Sequence, residues 1–311
     1  MEILTETQTV SPAVSWDFGT AYELFISLHV LHEPAYFGIR PSYAAGVRSR
    51  IPAAERKLLE EVYPITGVPL KWLASLPDPK DAITALWALK QIAPAERMLT
   101  LQRVYEEFEY DNPEDGEKHA RFNEIMIRVA SEGKWTPEDS DYFYKSFHKK
   151  HGGLKRDAIE RCLDWWSRPE ELGEGFLSAI QAYYQAFFEE EEKRVEPVLK
   201  AGLEKAKDLA SRLSVDELFI ELSQGVKLDD DFRTTNLIIA PAFWTTPLVF
   251  FEKLDNNNML LLFGTRHLSE LRLASLVELF FKNDEKRYAI RKQALDAVCA
   301  NMKAFLEKEP E

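Results

Sequence analysis

The spacing of apolar residues predicts helices over most of the first 235 positions of the chain. One face of the first helix carries apolar positions at three- and four-residue intervals, namely Phe18, Ala21, Phe25, Leu28 and His32. Asp17 or Thr20 can cap its start, and Pro34 ends it. Prolines then divide the next stretch into short helices, among them residues 53–62 and residues 79–92, the second opened by Asp78.

Longer helical patterns follow these short segments. Residues 113–128 and 137–148 each begin with a proline and acidic residues, which suit the positive end of a helix dipole. Residues 173–213 form a nearly continuous helical pattern that Pro197 is expected to interrupt. The acidic run at 189–192 is expected on an exposed face. We therefore predict a helical body over residues 1–235.

The period of the pattern changes after residue 235. Residues 236–243, 247–251 and 259–263 are short, rich in β-branched and aromatic side chains, and separated by turn-forming residues. They predict a small antiparallel meander of two or three strands that closes the body over residues 236–265. The predicted fold class is mainly α, an α+β chain with one small sheet.

A second β signal lies near the C-terminal end. Residues 276–282 and 285–291 flank Asn283 and Asp284, and this arrangement favours a β-hairpin. Two loop lengths keep apolar residues on one face: a two-residue loop pairs Val277 with Ile290 and Leu279 with Tyr288, and a four-residue loop pairs Leu279 with Ile290 and Phe281 with Tyr288. A last helix then carries an apolar seam suited to another helix, formed by Leu295, Val298, Met302 and Phe305.

Composition and charge restrict the classes of function. The 311 residues suggest about two domains, and the N-terminus does not resemble a signal peptide, so we expect a soluble cytoplasmic protein without a membrane partner. The net charge of −13 argues against nucleic-acid binding over the whole surface. Residues 266–292, however, hold seven bases and four acids, a local +3 that leaves −16 for the rest of the chain.

No motif indicates an enzyme, a cofactor or a metal site. The chain lacks the glycine-rich phosphate loops, the nucleophile elbow and the paired-histidine zinc motif. His29 with His32, and His148 with His151, have a spacing that can bind a metal, but neither pair has a nearby cysteine, so structural roles are favoured. Cys162 and Cys299 lie in apolar helical patterns typical of buried thiols. The aromatic pairs Trp165-Trp166, Tyr183-Tyr184 and Phe187-Phe188 are interpreted as core, with a pocket for an apolar effector as the alternative.

The C-terminal stretch HLSELRLASLVELFFKNDEKRYAIRKQALDAVCANMKAFLE resembles the end of an ArsR-type winged-helix transcriptional regulator. The upstream segments VSWDFGTAYELFISL and EPAYFGIRPSYAAGVRSRIPAAER are similar to the long N-terminal region of bacterial regulators of this kind. The resemblance implies that residues 266–311 comprise the tail of a recognition helix, a wing hairpin and a dimerisation helix. It places candidate DNA contacts at or beside the recognition helix (Arg266, His267 and Arg272) and on the wing (Lys282, Lys286, Arg287 and Arg291). It assigns the seam from Leu295 to Phe305 to a homodimer.

The chain departs from this family in two respects. Ser275 stands where the family usually has glycine. More importantly, the first two helices of the domain and the base-reading end of the recognition helix would precede His267, and the chain leads there directly from a strand. Either the natural protein has lost this segment or its gene encodes a further one. The sequence therefore predicts an ArsR-like, homodimeric DNA-binding regulator with impaired DNA readout. The alternative is a dimeric effector-binding or interaction protein that does not bind DNA.

Overall fold

The computed structural model describes residues 12–34, 36–102, 113–147, 154–225, 235–246, 248–265, 277–282 and 285–290, the last two ranges as backbone. These residues belong to two compact units. The helical unit draws its described residues from 18–197 and 252–256, and the sheet unit draws them from 1–17, 198–251 and 257–311. No helix in the described ranges has the length and apolar character needed to cross a membrane.

Helices make up most of the described chain, as the sequence predicts. In chain order they are α1 (Thr20–His32), α2 (Pro41–Arg48), α3 (Ala53–Val62), α4 (Leu70–Ala74), α5 (Ala82–Gln91), α6 (Pro94–Leu101), α7 (Pro113–Glu132), α8 (Pro137–Phe147), α9 (Arg156–Trp166), α10 (Pro169–Tyr183), α11 (Glu189–Ala210) and α12 (Val215–Leu222). A π-helical turn at Tyr184–Phe188 joins α10 to α11. Pro197 lies inside α11, so the predicted interruption there is wrong.

Helix α10 organises the helical unit by contacting α3, α5, α6 and α9. Its approach to α6 requires a glycine, because a Cβ at Gly173 would lie 1.9 Å from the carbonyl oxygen of Pro94. Arg97 of α6 is only 2% exposed and donates hydrogen bonds to the carbonyl oxygens of Leu89 (3.0 Å), Ile92 (3.0 Å) and Gly173 (2.7 Å). The guanidinium thus satisfies buried carbonyls at the end of α5 and within α10.

The acidic run at residues 189–192 is only partly exposed, and one of its residues contacts the start of α5. Asp81, rather than Asp78, caps α5 by accepting a hydrogen bond from the Thr84 amide at 2.7 Å. Glu192 accepts a second bond from the Ala82 amide at 3.0 Å, so it satisfies another free donor of the same turn. Glu191 is buried and forms an ion pair with Arg194. The expectation that the whole run is exposed is therefore wrong.

The sheet differs from the predicted antiparallel meander. Its strands are β1 (Ala13–Trp16), β2 (Asn236–Ala242), β3 (Phe250–Lys253) and β4 (Asn258–Gly264), in the order β1-β2-β4-β3. Strands β1 and β2 are parallel, with Ala13 opposite Asn236, and β2 and β4 are parallel, with Asn236 opposite Asn258. The prediction missed β1 and the parallel pairing, because both depend on contacts between residues far apart in the sequence.

The sheet unit has its own core. Leu237, Ile239, Leu261 and other residues of β2 and β4 pack against Phe219 of α12 and its neighbours. Pro241 lacks an amide hydrogen but is tolerated within β2. The backbone of Ile239 faces β1, and Pro241, two residues later, faces the same side, where β1 has already ended. The missing amide of Pro241 therefore leaves no strand partner without a donor.

The C-terminal hairpin is confirmed as backbone structure. Strands β5 (Val277–Lys282) and β6 (Glu285–Ile290) are antiparallel. Val277 lies opposite Ile290 and Leu279 lies opposite Tyr288, which is the register predicted for a two-residue loop. The four-residue alternative is excluded because Lys282 still pairs with Glu285.

Candidate functional site

Three of the predicted DNA contacts lie on the hairpin. Lys282 ends β5, and Lys286 and Arg287 lie near the start of β6, opposite Phe281 and Phe280. Because neighbouring positions of a strand alternate between faces, Lys286 and Arg287 fall on opposite faces of the hairpin. All three bases are within three residues of the loop, at the same end of the hairpin as Asp284 and Glu285, and Glu285 lies opposite Lys282.

The other predicted site residues lie outside the described residues. They are the candidate DNA contacts Arg266, His267, Arg272 and Arg291, and the candidate dimer seam Leu295, Val298, Met302 and Phe305. Cys299, His148 and His151 also lie outside. These assignments stay predictions.

A cavity in the helical unit provides a second candidate site, which we call the His32 cavity. It has a volume of about 40 Å³ and is open to solvent on one side. Helix α1 contributes Phe25, Leu28, His29 and His32, which share a face at spacings of three and four residues; α3 and the following segment contribute Leu59, Val62, Tyr63, Thr66, Gly67, Val68 and Pro69; and α10 contributes Phe176. The walls are therefore mainly apolar, with a few polar groups.

His32, which lines this cavity, has a buried ring nitrogen, Nε2, without a hydrogen-bond partner. Its Nδ1 lies 2.8 Å from the carbonyl oxygen of Leu28, and because a carbonyl only accepts, Nδ1 carries the proton and donates. The pKa of His32 is lowered to about 4, chiefly by burial and also by the nearby charge of Arg48, against the opposing effect of the Leu28 bond. The neutral ring therefore has a lone pair on Nε2, which is buried and has no hydrogen-bond partner.

Tyr63 fixes both histidine rings. Its ring stacks on His32 with centroids 4.7 Å apart and planes 17° apart, and its hydroxyl forms a 2.9 Å hydrogen bond with Nδ1 of His29. Burial, together with the charge of Glu33, raises the pKa of Tyr63 well above its usual range, so the phenol stays protonated. His29 also contacts the ring of Phe37 edge-on at 5.6 Å. The two histidines are thus held by aromatic packing and hydrogen bonds.

The described residues contain no group of three or more histidine, cysteine, aspartate or glutamate side chains placed to hold a metal ion. Nδ1 of His29 and Nδ1 of His32 each form a hydrogen bond within the protein. The sequence identified both histidines but missed Tyr63. The position of His32 on the apolar stripe of α1 indicates that its polar ring is buried and therefore needs a partner, but it does not indicate which residue that partner is.

Of the other residues considered from the sequence, Trp165 and Tyr184 are only half-buried, whereas the following belong to the core. Cys162 is fully buried, as predicted, with Sγ 3.4 Å from the carbonyl oxygen of Val62, and burial raises the pKa of its thiol. Trp166 and Tyr183 are also buried, and the Tyr183 hydroxyl lies 2.7 Å from Oγ of Ser27. None of these three residues lines the His32 cavity.

Comparison of the chain with protein-family models, with characterised proteins and with solved structures gives no match.

Proposed function

We propose that the chain belongs to an ArsR-like, homodimeric cytoplasmic DNA-binding regulator, and that the hairpin β5–β6 contacts the phosphates of duplex DNA. The observation that carries this proposal is the hairpin register, which brings Lys282, Lys286 and Arg287 to one end of a two-stranded ribbon. The ribbon, residues 277–290, holds three bases and three acids and is neutral as a whole, but it lies within residues 266–292, which carry +3 in a chain of net charge −13. Basic side chains on such a ribbon neutralise phosphates without reading bases.

Charge distribution restricts the contact to this part of the chain. The remaining residues carry −16, so they repel the phosphate backbone, whereas residues 266–292, with their net charge of +3, attract it. Contacts to phosphate alone fix position but carry no sequence information. The proposed binding by this chain is therefore weak, salt-dependent and independent of DNA sequence.

The test is binding of a fluorescein-labelled duplex, followed by anisotropy at low salt. Lys286→Glu combined with Arg287→Glu is expected to weaken binding by at least tenfold for all duplex sequences. The matched control is Lys134→Glu with Lys145→Glu, which changes the net charge equally at exposed positions of the helical unit. An equal loss in both variants would show that total charge, not the hairpin, governs binding, and an absence of binding by the natural chain would refute the proposal.

A second function of another class is favoured by the His32 cavity. In this alternative the chain binds a small effector and has no contact with DNA, while its C-terminal helix serves only in dimerisation. Light scattering after size exclusion tests the homodimer common to both proposals, and a monomer at micromolar concentration would contradict it. DNA titration then separates the two proposals.

A further inference from the structure

We propose that one side of α2 binds single-stranded nucleic acid, with a base of the strand stacked on Tyr43 and its phosphates bound by Arg40 and Arg50. These three residues are called the α2 stripe below. The stripe lies within the helical unit and takes a single strand, so the inference does not depend on the proposed contact between the hairpin and duplex DNA.

The charge around α2 is positive although the whole chain carries −13. Residues 34–54 hold three arginines, Arg40, Arg48 and Arg50, and no acidic residue. In the part of the chain that the structure describes, none of these three side chains forms an ion pair or a hydrogen bond. Each arginine between residues 113 and 212, by contrast, forms an ion pair with a carboxylate. The arginines around α2 are therefore left for an anionic partner, and the planar guanidinium matches a phosphate group.

Helical spacing places the α2 stripe on one accessible side of the helix. Arg40, Tyr43 and Arg50 recur at intervals of three and seven residues, so they follow one another along the same side. Both arginines are exposed, and Tyr43 is 44% exposed, which is unusual for a large aromatic side chain. The surface between Tyr43 and Arg50 is open, because a Cβ added at Gly46 would have no neighbour within 4 Å. At the helical rise the two arginines are about 15 Å apart, which leaves room for a stacked base between two phosphate contacts.

A carboxylate close to the stripe is already neutralised. Tyr43 lies near enough to Arg194 of α11 for their charges to interact. Arg194 forms an ion pair with Glu191, and Glu191 is buried. This pair therefore adds no net negative charge beside Tyr43, and the positive charge of the α2 arginines is retained at the surface.

The side chains around the stripe favour a nucleic acid over an acidic peptide. The other exposed positions of this stretch are small residues or proline, namely Pro41, Ser42, Ala45, Gly46 and Ser49. Peptides are recognised by pockets or apolar grooves that hold their side chains, and residues of this size do not wall such a pocket. A nucleic-acid strand is instead held by bases stacked on an exposed aromatic ring and by arginines on its phosphates. In a duplex the base faces are covered by their neighbours, so a single strand is the form that can use Tyr43.

The test is the anisotropy of a fluorescein-labelled oligothymidylate of about 12 nucleotides, titrated at low salt with the full chain. The chain carries Lys286→Glu with Arg287→Glu, which removes the proposed hairpin contact, so failure of the hairpin proposal and failure of this one give different results. The single strand should bind at least about fivefold more tightly than a duplex of the same length, because it alone stacks on Tyr43. Two phosphate contacts predict a salt slope of about −1.4. No binding, a slope near zero, or a duplex that binds as tightly as the single strand would overturn the inference.

Variants in the same background assign the binding to the α2 stripe. Arg40→Glu with Arg50→Glu should weaken oligothymidylate binding at least about tenfold, whereas the matched control Lys134→Glu with Lys145→Glu should weaken it by less than about threefold. Tyr43→Leu should weaken binding about tenfold by removing the stacking surface, and Tyr43→Phe should retain the affinity. Equal losses in the two charge-reversal pairs, or equal losses in Tyr43→Phe and Tyr43→Leu, would overturn the inference. Tighter binding of a labelled oligoglutamate peptide than of the oligothymidylate would also overturn it, in favour of an acidic protein partner.

Discussion

The neutral state of His32 predicts a specific loss of stability in mild acid. An ordinary histidine has a pKa of about 6.5, whereas burial lowers that of His32 to about 4. Between these two pH values the His32 ring is protonated in the unfolded chain and neutral in the folded chain. This contribution is therefore fully present above pH 6.5 and is lost as the pH falls through about 4. The difference in pKa corresponds to about 3 kcal/mol of unfolding free energy, most of which is lost by about pH 4.5.

Urea unfolding of the natural chain and of His32→Phe isolates this contribution. Phenylalanine keeps the ring that stacks on Tyr63 but cannot bind a proton, while all 52 acidic residues are common to both chains. Between pH 7 and pH 4.5 the natural chain should lose about 2 to 3 kcal/mol more than the variant. Parallel losses that agree within about 0.5 kcal/mol would show that His32 is not held neutral by burial, and would refute the reasoning.

Three further predictions concern packing. Arg97→Met should lower the unfolding free energy by about 3 kcal/mol in chemical denaturation, because it removes the buried guanidinium that donates hydrogen bonds to the carbonyl groups of Leu89, Ile92 and Gly173; a loss below about 1 kcal/mol would contradict this role. Gly173→Ala should destabilise by more than about 2 kcal/mol, because the new methyl group meets the Pro94 carbonyl, whereas Gly46→Ala has open space and should be neutral or stabilising by up to about 1 kcal/mol; similar thermal midpoints for the two variants would refute the close approach. The Cys162 thiol should not react with a thiol reagent until urea unfolds the chain, and stoichiometric labelling of Cys162 in the folded chain, identified by peptide mass analysis, would contradict its burial.

Local features were predictable from the sequence. Helix α3 occupies residues 53–62 as predicted, because proline fixes its start and its apolar residues recur at helical spacing. Residue parity limited the hairpin to two registers, and the observed one, with Val277 opposite Ile290, is the alternative with a two-residue loop. Both features depend on residues that are close in the sequence.

The sheet and the cavity depend on distant residues. Strand β1 has only four residues, and its partner β2 begins more than 200 positions later. No local sequence pattern therefore predicts that the two strands pair in parallel. His32 could be placed on the apolar stripe of α1, but its stacking on Tyr63 results from the packing of α3 beside α1. The burial of Arg97 and Glu191 was likewise invisible, because sequence reasoning assigns charged residues to the surface until a partner is known.

The salt dependence of duplex binding tests the central proposal most directly. Each phosphate neutralised by a basic side chain contributes about −0.9 to the slope of the logarithm of the binding constant against the logarithm of salt concentration. If Lys282, Lys286 and Arg287 each contact one phosphate per chain, the slope per chain is about −3, and Lys286→Glu with Arg287→Glu brings it to about −1 or less in magnitude. A slope near zero for the natural chain, or the same slope for the natural chain and the double variant, would contradict the assignment of the hairpin to DNA.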